Sequence, residues 1–490
     1  MFPPKLRTVQ RSLGQLEGVE FALVQGKAAQ QLAVLAPLGA PILADLEGVT
    51  TDHEGKSLLQ GPLSPRNAAA LRRYLPWLQP KPLGLRTAAG MGDRLGLATP
   101  GHVRAVRAAG GGIAPVFAQQ SIREMVRTGR SPQQVMDDAT WGILAEGWTG
   151  GVGADADHLK TTDDIDACAA AGFSFFTVDP GDHVDNSADQ ASSLRLLEAA
   201  SGLPWDRLED ALSGLTSRYE GLVVDLDGQT IAFDEATVLR AAVKYGRAVA
   251  HVAAMYRHLQ ALGGETEFEV SVDETESPTS HAEHIYLVRE LARLGVCWVS
   301  LAPRYIGRFE KGVDYIGDLA AFEADFALHA AIARRFGPYK LSLHSGSDKF
   351  SVYPIAMAQS RGVVHLKTAG TSYLEALHTI AALDPALFRE IYTFARGHYP
   401  TDRASYHVSA DLAKAPPPGS LADADLPGIL DQFDAREILH VTFGSVLTTR
   451  AEAGGWLFYD RFMALLRANP EAYARNLEAH FLRHLKPFAA

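Results

Sequence analysis

Between about residues 83 and 380 the chain repeats one unit. A short apolar run rich in β-branched or aromatic residues ends in a polar cluster and is followed by a helix-like stretch. The pattern predicts strands at Leu83–Ala88, Gly112–Ala118, Trp148–Ala154, Phe173–Asp179, Glu267–Asp273, Val296–Leu301, Tyr339–His344 and Gly362–Lys367. Strands that alternate with helices pair in parallel through right-handed crossovers. Eight such units favour an α/β fold of the (β/α)8 TIM type over an open doubly wound sheet.

About ninety residues separate the fourth and fifth runs, an insertion at 185–262 after the fourth strand. Within it, 221–233 reads as a hairpin turning at Asp227-Gly228, and Glu235–Leu262 as one long amphipathic helix. Two flanking segments fall outside the repeat. Residues 1–80 show a mixed α/β pattern ending in a helix from Ser64 to Leu75, with Pro65 in its first turn. Residues 381–490 read as helical, broken by Ala415-Pro-Pro-Pro-Gly419. The expected organisation is an N-terminal extension (1–80), a barrel (81–380) and a C-terminal helical or lid segment (381–490).

Composition narrows the functional classes. The 46 Lys and Arg against 57 Asp and Glu give a net charge of −11, without a dense basic run. A nucleic-acid partner is therefore not expected, and an anionic substrate needs its own local cluster of cations. No apolar stretch reaches the roughly 18 residues of a membrane span, and the N-terminus lacks the apolar core of a signal peptide. Cys168 and Cys297, both in apolar surroundings, are expected to be buried thiols, which suits a reducing, cytoplasmic setting. Self-association into a homo-oligomer stays open.

The chemistry of such a barrel lies where strands pass into loops at the carboxyl-terminal face. Acids, imidazoles and cations concentrate at these predicted ends. His158, Asp179, His183, Glu274 and His344 are the candidate ligands of a divalent metal ion, with zinc, manganese, nickel and iron(II) all compatible. His344 is the sharpest, because it ends the alternating run Lys340-Leu-Ser-Leu-His344. Glu274, Asp179 and Asp273 are the candidate acid–base groups. Lys160, Arg304, Lys349 and Lys367 could hold a carboxylate or phosphate, and Asp93, Gln120, Ser345 and Tyr406 are polar groups placed to meet substrate. Ser345-Gly-Ser-Asp348 could offer backbone amides to an anion, or Ser347 or Asp348 could simply cap the next helix. The Tyr399-Pro-Thr-Asp402 and Ala404–Ser409 stretches could close over the mouth as a lid. Gly90-Met-Gly-Asp-Arg-Leu-Gly96 lacks the full dinucleotide fingerprint, so its glycines are read as a tight loop.

Four segments in this order, Val272-Asp-Glu-Thr-Glu-Ser-Pro-Thr279, Leu343-His-Ser-Gly-Ser-Asp-Lys-Phe350, Leu366-Lys-Thr-Ala-Gly-Thr-Ser-Tyr373 and Asp402-Arg-Ala-Ser-Tyr-His-Val408, resemble the tagaturonate epimerase family. The resemblance implies a metal-dependent enzyme that interconverts D-tagaturonate and D-fructuronate, with D-tagatose and D-fructose as neutral alternatives. Those sugar acids differ at ketose carbon 4, whose proton is not adjacent to the carbonyl. Retro-aldol cleavage and re-addition would invert it, whereas transient hydride removal would need a nicotinamide for which no fingerprint is present. A metal-dependent aldolase or ketose isomerase, and a non-catalytic sugar-acid sensor, are the competing readings.

Overall fold

The structure is a computed structural model and describes residues 2–26 and 29–489. Eight parallel strands close into a barrel: β1 (Ala88–Met91), β2 (Ala114–Ser121), β3 (Gly153–Leu159), β4 (Phe175–Val178), β5 (Glu267–Val272), β6 (Ser300–Pro303), β7 (Lys340–Leu343) and β8 (Val364–Thr368). Closure comes from β8 pairing with β1 in register His365↔Ala88 to Thr368↔Met91. The predicted (β/α)8 architecture is the one observed.

Three strands start four or five residues later than expected. Leu83 to Thr87 forms no strand. The backbone amides of Leu83 and Gly84 donate to the Glu267 carboxylate at 2.8 and 2.5 Å, tying the segment across the base of the barrel. The third strand begins at Gly153 rather than Trp148 and runs through Asp155 and Asp157, because buried partners inside the barrel accept those acids. The sixth starts at Ser300, which leaves Cys297 in the preceding turn and exposed, not buried as expected; Cys168 is buried.

The N-terminal segment forms a five-stranded antiparallel sheet backed by helix Pro65–Tyr74. Ser64 caps that helix by accepting from the Asn67 amide, and Pro65 occupies its first turn, where a missing N–H costs nothing. The insertion contains the hairpin Val223–Leu226 and Gln229–Ala232. It turns through Asp227 and Gly228 at φ 51° and 92°, the left-handed pair of a tight hairpin turn. Helix Glu235–Leu262 has the predicted limits and buries Val238, Ala242, Tyr245, Val249, Val252 and Met255.

C-terminal helices wrap the barrel. Helix Pro470–Leu485 packs on Thr99–Ala109 and on Thr371–Leu383, bringing His480 and His484 to the loop after β7. Among the described residues no helix is long and apolar enough to cross a membrane.

Candidate active site

Side chains alternate along a strand, so every second residue of β3, β4, β5 and β8 points into the barrel. In this chain those positions are Asp155 and Asp157 on β3, Thr177 on β4, Glu269 and Ser271 on β5, and His365 and Lys367 on β8. All seven are buried. An isolated buried charge is costly, and the lumen meets that cost by pairing. Lys367 Nζ lies 2.9 Å from Asp155, 2.8 Å from Asp157 and 2.8 Å from Glu269, and donates to Thr177 Oγ1 at 2.5 Å. Burial opposes the charge on Lys367, but the three carboxylates outweigh it and raise its pKa.

Two imidazoles stand on this charged floor. His158 follows Asp157 with a left-handed backbone (φ 53°), which turns its ring over the mouth. Its Nδ1 meets Asp157 Oδ1 at 2.8 Å. Its Nε2 is buried without a hydrogen-bond partner among the described residues, 3.5 Å from Asp273 and 3.8 Å from Glu274. His344 is held with its two nitrogens exchanged. Its Nε2 meets Glu269 at 2.7 Å, while Nδ1 faces Asp273 Oδ1 and Ser271 Oγ, both at 3.2 Å. The two rings are 5.0 Å apart.

Each imidazole is thus backed by a buried carboxylate on one nitrogen and turns the other toward Asp273. A carboxylate–histidine pair of this kind fixes the tautomer of a metal ligand. Asp179, at the end of β4, brings a carboxylate oxygen within 4.8 Å of the donor atoms of His158 and Glu274.

The electrostatics agree with a cation site. Burial opposes charge on both histidines, yet Asp157 raises His158 well above the usual imidazole range, and Asp273 and Glu269 raise His344 to about 9. The surrounding carboxylates thus favour positive charge at this point of the mouth. The donor set, imidazole nitrogens with carboxylate oxygens, is that of zinc, manganese, nickel or iron(II). Glu274 is held by Arg123 at 2.7 Å. Burial raises the Glu274 pKa, but His158 and Arg123 pull it down to about 2. Asp179 moves the other way: burial raises its pKa, offset only in part by His158.

A cleft of about 300 Å³ opens beside this cluster, lined among others by Arg123, Asp273, Glu274, Arg304, His344 and Tyr406. A smaller cavity of about 40 Å³ lies against Asp157 and His158 and shares Arg123, Lys311, Ser345 and Tyr406 with the cleft. Lys311 is turned inward and donates to Ser345 Oγ at 2.5 Å. The segment holding Tyr406 and His407 lines the cleft, with the Arg127 guanidinium 4.9 Å from the Tyr406 ring and donating to its hydroxyl.

Several predicted roles meet a different environment. Lys349 is buried away from the cleft, and its ammonium donates to the carbonyls of Glu310, Val313 and Ser347, so it holds a loop rather than a ligand. Lys367 is the lumen counter-ion described above. Lys160 pairs with Asp182 at 2.9 Å and lies 4.0 Å from Asp179. Asp93 accepts from the amides of Leu95, Gly96 and Ala98, which shapes the glycine loop. Gln120 accepts from Arg130 at 2.9 Å.

His183 stacks on His251 at 4.1 Å and belongs to none of the clusters of potential metal ligands found among the described residues. Neither Ser347 nor Asp348 caps a helix: the next one begins at Tyr353 without a side-chain cap, and Asp348 binds His480 and Arg436. Arg123 stands in the helix Ile122–Thr128 that directly follows β2, and Lys311 in the long loop after β6, where no strand end marks it. The alternation Asp155-Ala-Asp157 and Glu269-Val-Ser271-Val-Asp273 was the available signal for the lumen acids.

The fold and this cluster define a barrel enzyme with an imidazole–carboxylate centre at its mouth. Comparison with known proteins gives the family: the tagaturonate epimerase model matches residues 9–488, and the chain belongs to that family. A tagaturonate/fructuronate epimerase of Thermotoga maritima is 46% identical over 432 residues, covering 88% of this chain and 87% of the relative. The native crystal structure of fructuronate-tagaturonate epimerase from Cohnella laeviribosi superposes with a TM-score of 0.91 at 37% identity, covering 99% and 97% of the two chains. A glycerol complex of the same enzyme gives the same TM-score and identity over 99% and 96%.

Proposed function

We propose that this chain is a carbohydrate epimerase that interconverts D-tagaturonate and D-fructuronate by inverting ketose carbon 4. The reading is supported by the names of relatives that match nearly the whole chain. The observation that carries the chemistry is the pair of imidazoles, each locked by a buried carboxylate, facing Asp273 and Glu274 beside a cleft lined by Arg123, Arg304, Arg308 and Lys311.

His158, His344, Asp273 and Glu274 would hold a divalent ion, with Asp179 at its edge. When bound, such an ion polarises a substrate carbonyl as a Lewis acid. Asp179 is the better proton acceptor of the acids, since its pKa is raised whereas that of Glu274 is lowered to about 2. It takes the proton of the carbon-4 hydroxyl as the carbon 3–carbon 4 bond breaks. The bonding pair stays on the carbon 1–3 fragment as an enediolate, and carbon 4 becomes an aldehyde. Arg123, Arg304 and Lys311 line the cleft and anchor the distal carboxylate, which remains on the aldehyde fragment. Anchored at that end, the fragment turns about its carbon 4–carbon 5 bond and presents its other face for re-addition. Tyr406 and His407 line the cleft and keep both fragments from diffusing away.

Incubation of metal-supplemented protein with D-tagaturonate in heavy water tests both halves of the reading. D-fructuronate is expected, without deuterium at carbon 4, because that C–H bond is never broken. No conversion would remove the assignment, and deuterium at carbon 4 would remove the cleavage route.

A further inference from the structure

A second set of donors lies away from the barrel mouth, between two outer helices. His281 opens helix His281–Arg293, and Asp325 and His329 stand one turn apart on helix Leu319–Phe336. Their ligand atoms all lie within 4.8 Å of one another. His281 Nε2 is 3.1 Å from Asp325 Oδ1, and His329 Nε2 is 3.7 Å from Asp325 Oδ2. Tetrahedral bonds of about 2.0 to 2.2 Å place neighbouring ligand atoms about 3.3 to 3.5 Å apart, so the two separations bracket what such a site needs.

Two orphan atoms make this cluster different from an ordinary buried ion pair. His329 is fully buried, and its Nε2 has no hydrogen-bond partner among the described residues; the same is true of Asp325 Oδ2. An imidazolium at His281, donating to Asp325 Oδ1 or to the Asp325 carbonyl at 3.3 Å, would leave both orphans unsatisfied. Each would then be a buried polar atom without its hydrogen bond, which destabilises the fold. A cation between the three side chains satisfies both.

The far side of His329 is already arranged for this. Its Nδ1 is 2.8 Å from His284 Nδ1, and His284 Nε2 is 2.8 Å from the Tyr339 hydroxyl oxygen. If His329 Nδ1–H donates to His284 and His284 Nε2–H donates to Tyr339, every buried nitrogen on that side is paired. His329 Nε2 then turns a lone pair toward Asp325, the outer-shell support that a metal-bound imidazole uses.

We propose that His281, Asp325 and His329 bind a divalent transition-metal ion of the zinc class at a site separate from the mouth. It clamps the two helices behind Tyr305, whose ring lies 5.6 Å from that of His329 and which lines the cleft. The proposal does not depend on the epimerase reading.

The test loads zinc onto chelator-stripped protein, removes the excess, and measures metal per chain and zinc-dependent melting. His281→Ala changes a partly exposed helix-start residue, and Asp325→Asn keeps the shape of the partly buried acid. Each variant is expected to hold one equivalent less zinc than the unsubstituted protein. Each should also lose much of the zinc-induced rise in Tm while retaining epimerase turnover. Zinc content and melting shift equal to the unsubstituted protein in both folded variants would overturn the site.

Discussion

The barrel lumen and the cap where residues 408–411 meet helix Phe433–Val441 both bury carboxyl groups, and they treat them in opposite ways. In the lumen Asp157 and Glu269 share the Lys367 ammonium and each meets a histidine. Burial alone would raise their pKa values, but these cations hold both well below the usual carboxylate range. In the cap Glu437 also lies fully buried, accepting from the Ala410 amide at 2.9 Å, but its neighbour is another acid, Glu310. Burial, and then the hydrogen bond with Glu310, push Glu437 up to about 8. Equal burial therefore gives permanent anions in one region and a protonated acid in the other, and the partner decides which.

That contrast can be broken most severely at Lys367. Lys367→Met leaves three carboxylates facing one another in the lumen, and a loss of about 3–5 kcal/mol in unfolding free energy is expected by denaturant titration. An unchanged midpoint would mean that the lumen charges are not balanced by this side chain. A milder test is Asp157→Asn, which keeps the shape but weakens the hold on His158. Metal affinity or turnover should fall about 10–100-fold with the fold intact, as measured by metal titration and initial rates.

The smallest effect belongs to the cap. Because the folded-state pKa of Glu437 lies above its ordinary 4.5, the folded chain keeps a proton that the unfolded chain releases between that pH and about 8. The contribution of this group to stability therefore falls as pH rises through the window, and Glu437→Gln should flatten that part of the Tm-against-pH curve. An identical slope in the variant would show that Glu437 does not carry the proton.

Much of the scaffold was readable from periodicity. The helix Glu235–Leu262, the Ser64 cap with Pro65, and the turn at Asp227-Gly228 follow from short-range chemistry, and the structure reproduces them. The strand starts were less readable. A run such as Ala154-Asp-Ala-Asp-His158 looks like a loop until Lys367, more than two hundred residues away, is brought against it.

The site shows the same division. His158, His344, Asp179, Asp273 and Glu274 were all found as strand-end residues, and the structure gathers them at one rim. Lys349 carried the same sequence signal and points elsewhere, because three backbone carbonyls of neighbouring loops claim its donors. Arg123 lies as far past its predicted strand as Lys349 does and lines the cleft, whereas Lys311, which also lines it, lies in a loop well beyond any predicted strand end.

The order of side chains thus determined by itself which elements form and which chemical groups stand at their ends, since hydrophobic period, caps and turn residues act over a few positions. Only the closed barrel decided which of those groups meet, because pairing, burial and charge depend on neighbours that the chain supplies from far away.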